Sequence, residues 1–245
     1  MLLLYDEKGL FYVINKRLSR RLKLVASYLP KSAYFADIGS DHAYLPVTVC
    51  SHDLSAKALA GEINEGPFKA AKQHVGAYGL HDRIEVRRGD GLTIIEEDPV
   101  KQVTIAGMGG SLIRSILETG EEYLKSVDLL ILQPNVDSYD LRHWMVTSPF
   151  SLVDEQILEE DGHIYEVLVA KRGQSGFNEM SYKQLLLGPI LMKEKSKPFI
   201  SKWKRERDNK ERIVEQMKLA TSPNQLKIDQ FIKDIQLINE VIEND

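Results

Sequence analysis

The stretch YFADIGSDHAYLP, residues 34–46, decides the fold. Residues 34–37 read as a strand, Gly39 supplies a turn, and residues 45–50 carry a helical pattern. Strand, glycine turn and helix in that order mark the carboxyl end of a strand in a parallel α/β sheet, where a nucleotide-type ligand binds. Outward from there the alternation continues. Residues 56–60, 83–87, 103–106 and 128–132 are further short strands, and residues 67–78, 111–119 and 138–147 are helices between them. This predicts a parallel sheet covered on both faces. After Pro149, two extended runs, residues 150–158 and 163–171, flank Asp161-Gly162, a strong hairpin signal. The expected fold is α/β: a Rossmann-like, seven-stranded, mostly parallel sheet ending in an antiparallel pair.

The rest of the chain bounds this reading. At 245 residues, 43% apolar and 28% charged, it is long enough for one large domain and a smaller appendage, and it is not a disordered chain. A net charge of −4 excludes a uniformly basic coat for nucleic acid but not a local patch. Cys50 is the single cysteine, so neither an intrachain disulfide nor a cysteine-based zinc site is expected, as suits a reducing cytoplasm. No apolar run approaches the ~20 residues that span a bilayer, and Asp6 and Glu7 interrupt the front too early for a secretory signal. The expected location is cytoplasmic, with no membrane partner. The histidines fall in no metal-ligand spacing, so no metal is expected.

Residues 173–176 (GQSG) read as a linker, after which the β pattern stops. Ser222-Pro223 signals a helix start. Ile228, Phe231, Ile235, Ile238 and Ile242 then repeat at coiled-coil spacing, and Ile213, Met217 and Ala220 continue it on the preceding helix. This predicts an antiparallel, all-α coiled-coil hairpin. Two basic stretches are candidates for RNA contact. Ile14, Leu18, Leu22, Val25 and Leu29 form one apolar helical face, leaving Lys16, Arg17, Arg20 and Arg21 largely elsewhere. Residues 193–212 hold nine basic and four acidic side chains, including Lys202, Lys204 and Arg205. Phe199 and Trp203 beside them are expected as hairpin core.

The first glycine loop selects its ligand by charge. A dinucleotide fingerprint would place a second glycine where Asp41 stands. A carboxylate there would repel a pyrophosphate by about 1–4 kcal/mol at contact. It suits instead a ligand with a sulfonium and an ammonium, which is the chemistry of S-adenosylmethionine. Glu62, about twenty residues on, is placed to accept from ribose hydroxyls, and Asp90 from an adenine amino group. Gly107-Met108-Gly109-Gly110 after the fourth strand competes as a dinucleotide loop. Leu112 is too bulky for its third small position, and the next strand ends in Leu132-Gln133, with no acid for a ribose. Gln133-Pro134-Asn135 closes that next strand with amides suited to the edge of an aminated base.

DIGSDHAYLP (residues 37–46), GEIN (61–64), AGMGG (106–110) and QPN (133–135) together resemble the bacterial tRNA adenine-N1 methyltransferases of the TrmK type, which act on adenine 22. The resemblance runs from about Ile14 to the C-terminus, so residues 1–13 read as an N-terminal extension. It implies a class I methyltransferase domain over residues 14–172, a helical coiled-coil domain over 173–245, S-adenosylmethionine as methyl donor and tRNA as partner. Position 22 comes from the resemblance alone. Donor contacts are expected at Asp37, Gly39, Asp41, Glu62, Ile63, Asp90, Gly91, Gly107, Met108 and Gly109. Asp41, Gln133, Asn135 and, more weakly, His42 are candidates for stabilising the charge that develops on the purine. A nicotinamide-dependent oxidoreductase using the Gly107 loop and a noncatalytic tRNA-binding protein are the alternatives. Oligomeric state stays open.

Overall fold

The computed structural model describes residues 4–5, 11–12, 18–173, 176–177 and 179–243. Two short strands, β1 (Leu4–Tyr5) and β2 (Phe11–Tyr12), form an antiparallel ladder. The body is built on β3 (Tyr34–Ile38), β4 (Lys57–Glu62), β5 (Ile84–Arg88), β6 (Gln102–Gly109), β7 (Leu129–Val136), β8 (Phe150–Glu160) and β9 (His163–Arg172). They form one seven-stranded sheet in the order β5-β4-β3-β6-β7-β9-β8. The five strands from β5 to β7 are parallel, and β9 runs antiparallel to both neighbours. The chain starts its sheet at β3, builds outward to β5, then returns to β6 on the other side. The β3/β6 boundary is therefore the switch point, where a crevice opens at the strands' carboxyl ends.

Burial on both faces explains the strand sequences. β3 and the first halves of β6 and β7 are almost wholly buried, and mostly apolar. β4 is alanine-rich and a poor strand former by propensity. Its Ala58 and Ala60 pack with Ala43, Val47, Ala71 and Val75. Those partners come from the N-cap and body of α2 (Tyr44–His52) and from α3 (Glu65–Ala77), and small residues let the helices approach. Asp161 and Gly162, both at positive φ, make the β8–β9 turn as expected.

Two strands run further than the sequence suggests. Gly107–Gly109 was expected as a loop but lies in β6, and Gln133-Pro134-Asn135 lies in β7 rather than in a closing turn. The ladder between them shifts register at Ala106/Met108 and again at Met108/Gly109, an irregularity that admits Pro134. Helix α1 (Arg20–Ser27) starts later than the apolar pattern suggests, with Ser19 Oγ accepting from the Leu22 N–H. Ile14, Lys16 and Arg17 lie outside the described residues. Helices α4 (Gly110–Thr119) and α5 (Ser138–Thr147) pack on the sheet near where predicted.

After α6 (Tyr182–Leu187) and α7 (Leu191–Glu194) come α8 (Lys197–Lys218) and α9 (Gln225–Ile242). These two pack antiparallel, with Arg207 reaching Asn239 and Lys210 reaching Asp234. Asn224, not Ser222, caps α9, accepting from the Lys227 N–H. The seam also differs from the expected one. Ile228, Ile238 and Val241 are buried, Phe231 and Ile235 are half-buried, and Ala220 is exposed. Asp234 is buried within the seam, held by Tyr182 Oη at 2.7 Å and Lys210 Nζ at 2.9 Å. Phe199 and Trp203 are core, as expected, clustered with Leu187, Leu191, Ile238 and Val241. No described helix is long and apolar enough to cross a membrane.

Candidate active site at the strand ends

The turn after β3 is locally strained. Gly39 has φ +67°, and Asp41, His42 and Ala43 follow with three further positive φ values before α2 begins. The Gly39 and Ser40 N–H groups both donate to the Gly61 carbonyl at 3.0 Å, tying the turn to β4. Asp37 lies beneath it, accepting from Ser40 Oγ and Thr104 Oγ1 at 2.6 Å each. Burial pushes its pKa up to about 6, partly offset by those two hydrogen bonds. A Cβ on Gly39 would come within 2.1 Å of Met108 Cε, so the turn must be bare for that side chain to lie across it.

Met108, Gly39 and Asp41 are shared by two adjoining cavities. The first, about 380 Å³, is bounded by Glu62, Ile63, Asp90, Gly91, Leu112 and Ile116 among others. Glu62 is buried at the end of β4, and its Oε1 has no hydrogen-bond partner. Burial raises its pKa, and the backbone N–H of Asp41 pulls it back. A buried carboxylate with one vacant oxygen, beside apolar side chains and glycine turns, fits a ribose diol and an adenine. The residues therefore fit S-adenosylmethionine. A Cβ on Gly110 would meet the Asp137 carbonyl oxygen at 2.1 Å, so α4 begins in close contact with the turn after β7.

The second cavity, about 670 Å³, lies across Met108 and takes in Arg21, Tyr44, Asn135, Val136, His163 and Tyr165. Gln133, expected to meet a base, is fully buried. Its Oε1 accepts from Arg21 Nη1 and from the Gly107 N–H, and its Nε2 donates to the Pro134 carbonyl and to Asn135 Oδ1. All four of its hydrogen bonds are therefore made inside the protein. Asn135 is exposed at the cavity, with Nδ2 donating to the Gly107 carbonyl at 2.8 Å.

The structure brings together Asp37, Gly39, Asp41, Glu62, Ile63, Asp90, Gly91, Gly107, Met108 and Asn135 around the two cavities. Gly109 sits at the end of β6, and His42 borders neither cavity. The His42 ring faces outward beside Asp41, and its carbonyl accepts from His74 Nδ1. Arg21, expected on an outer RNA face, points inward instead. Arg20 is tied to the hairpin, where its N–H and that of Arg21 donate to the Glu160 carboxylate. Lys202 is not a free cation: its Nζ lies 2.6 Å from the buried Glu166. Lys204 and Arg205 are exposed on α8. Ile116, His163 and Tyr165 escape the sequence reading, because they carry no motif and only packing brings them to the site. Tyr44 lies inside the 37–46 stretch but was given no role there, and Leu112 was read only as too bulky for a dinucleotide loop.

A family model described as TrmK: tRNA (adenine(22)-N(1))-methyltransferase matches residues 35–240. The tRNA (adenine(22)-N(1))-methyltransferase of Bacillus subtilis (strain 168) is 44% identical over 233 residues, which is 93% of this chain and 98% of the relative. The crystal structure of the B. subtilis M1A22 tRNA methyltransferase TrmK superposes with a TM-score of 0.86 at 43% identity, covering 92% of this chain and 99% of that one. Streptococcus pneumoniae Sp1610, solved in complex with S-adenosyl-L-methionine, gives 0.83 at 41% identity, covering 92% and 100%.

Proposed function

The chain belongs to the tRNA (adenine(22)-N(1))-methyltransferase family, and from that premise we propose how its strand ends carry out methylation of adenine N1 in tRNA, at position 22. The methyl group comes from S-adenosylmethionine, which supplies it on a sulfonium centre. The observation that carries the assignment to this site is Glu62, a buried carboxylate with a vacant oxygen at the end of β4. We assign residues 14–172 to donor binding and catalysis, and residues 173–245 to a helical arm for the RNA. The protein works in the cytoplasm, alongside its tRNA.

Glu62 accepts from the donor's ribose, while Ile63, Leu112 and Ile116 enclose its adenine and Asp90 takes the amino edge. Asp41, at the junction of the two cavities, complements positive charge from either side. The target base turns out of its stack into the larger cavity. Adenine N1 already holds a free lone pair at neutral pH, so no side chain need remove a proton first. The chain's task is alignment and stabilisation of the charge that appears on the purine. Asn135 Oδ1 accepts from the exocyclic amine, which becomes a stronger donor as that charge develops.

Incubation of unmodified tRNA with labelled S-adenosylmethionine, followed by mapping, should give 1-methyladenosine at position 22. Absence of label in tRNA, or label on another base, would overturn the reading. The oxidoreductase alternative predicts that NAD raises the melting temperature and S-adenosylhomocysteine does not. Asp41, at the junction of the two cavities, argues against it, because a carboxylate there repels a pyrophosphate.

A further inference from the structure

We propose that Arg21 is a positioning residue for the acceptor base: through Gln133 it fixes which end of the Asn135 amide is presented to the target adenine. The proposal rests on the methyltransferase reading above. A guanidinium can only donate hydrogen bonds, and so can a backbone N–H. Arg21 Nη1 and the Gly107 N–H converge on Gln133 Oε1, so the Gln133 amide cannot turn over. Its Nε2 hydrogens must then go to the Pro134 carbonyl at 2.9 Å and to Asn135 Oδ1 at 3.4 Å. That uses the full hydrogen-bonding capacity of this buried amide.

The polarity passes on to Asn135. Its Oδ1 faces the Gln133 donor, and its Nδ2 donates to the Gly107 carbonyl at 2.8 Å. Turning the Asn135 amide over would set two N–H groups against each other and two oxygens against each other. Oδ1 keeps a second lone pair for a ligand, and adenine carries the matching N–H donor at C6. Arg21 is itself held in place. Its guanidinium sits 5.2 Å from the Tyr165 ring centroid, and the N–H groups opening α1 donate to the Glu160 carboxylate. A cation grouped by sequence with phosphate contacts thus faces the reaction chamber.

The test is methylation kinetics, steady-state and single-turnover, on tRNA carrying adenine or unsubstituted purine at position 22. It compares wild type with Arg21→Leu and Arg21→Lys, with S-adenosylhomocysteine affinity measured alongside. Removing the amine should slow wild type about tenfold, the worth of one hydrogen bond. Arg21→Leu should lose a similar factor in kcat on adenine, with KM and salt dependence unchanged, and should lose little more on purine. Arg21→Lys, which still donates to Gln133, should recover most of the rate and the dependence on the amine. The proposal is overturned if Arg21→Leu raises KM and flattens the salt dependence while kcat holds, since that describes a phosphate contact. It is also overturned if the two losses multiply independently. Should Arg21→Leu bind S-adenosylhomocysteine poorly, Arg21→Lys decides: normal tRNA affinity without dependence on the amine overturns the proposal. Failure of wild type to methylate adenine-22 tRNA at all overturns the functional reading and this proposal with it.

Discussion

Glu62 is the residue on which the proposed donor site turns, because its buried Oε1 has no partner. Leaving a carboxylate oxygen buried and unpaired costs about 1–3 kcal/mol, a cost that donor hydroxyls would relieve. Glu62→Ala should therefore weaken S-adenosylhomocysteine binding by about 1.5–3 kcal/mol through the loss of one or two charge-assisted hydrogen bonds. Calorimetry on the folded variant checks this, and wild-type affinity would remove Glu62 from the site. The residue was legible in the sequence because its place is set by local order, one acid at the end of one strand. Gly39 and Asp41 were legible for the same reason. Arg21, Tyr165 and Leu112 were not. Arg21 and Gln133 are 112 residues apart, and only the docking of α1 over the sheet joins them. Gln133 was found but misread, because composition cannot tell an amide facing a base from one whose bonds are all taken inside.

At the scale of elements, a buried charge network fastens α8 to the sheet. Arg142 on α5 is fully buried between Glu155 on β8 and Glu166 on β9, and Lys202 on α8 completes the set at Glu166. Burial alone would raise the Glu166 carboxyl, but Lys202 and then Arg142 outweigh it and hold the pKa at about 2. A depressed folded pKa contributes stability above the unfolded value and loses it as pH falls through the folded one. The joint should therefore weaken between about pH 4.5 and about pH 2. Lys202→Met leaves Glu166 short of a partner and should cost about 3 kcal/mol in urea unfolding at pH 7, with a flatter acid response than wild type. An unchanged midpoint would mean that the contact carries no net stability. Lys202 reads as a surface charge in the sequence, because a basic run says nothing about which lysine turns inward. The sequence foretold the β8–β9 hairpin from Asp161-Gly162 but missed that Asp234 lies inside the α8–α9 seam, since a hydrophobic repeat does not register a buried ion pair.

For the whole molecule the question is how a chain of net charge −4 holds a polyanion. The answer must be local. Helix α8 is about 33 Å long at ~1.5 Å per residue, and its middle forms one wall of a cavity of about 430 Å³. That cavity shares Asn135, Val136, His163 and Ile164 with the cavity proposed for the acceptor base, and Arg205 stands among its other residues. Phosphates following α8 would thus lead the target nucleotide toward Asn135. Arg205 is available to serve, because its contacts are long surface ones, 3.4 Å to the Gly162 carbonyl and 3.5 Å to Glu159. Lys204 is exposed beside it. Replacing both by Glu should weaken tRNA binding and flatten its salt dependence by about 0.7–0.9 for each lost phosphate contact. S-adenosylhomocysteine affinity should stay at the wild-type value, since neither side chain approaches Glu62 or Gly39. Titrations at several salt concentrations separate this from a loss of fold, which would lower both affinities together. Wild-type tRNA binding across that range would take α8 out of the docking surface. Lys16, Arg17 and Arg20, in the basic stretch at and before α1, would then be the remaining candidates for the RNA-docking surface.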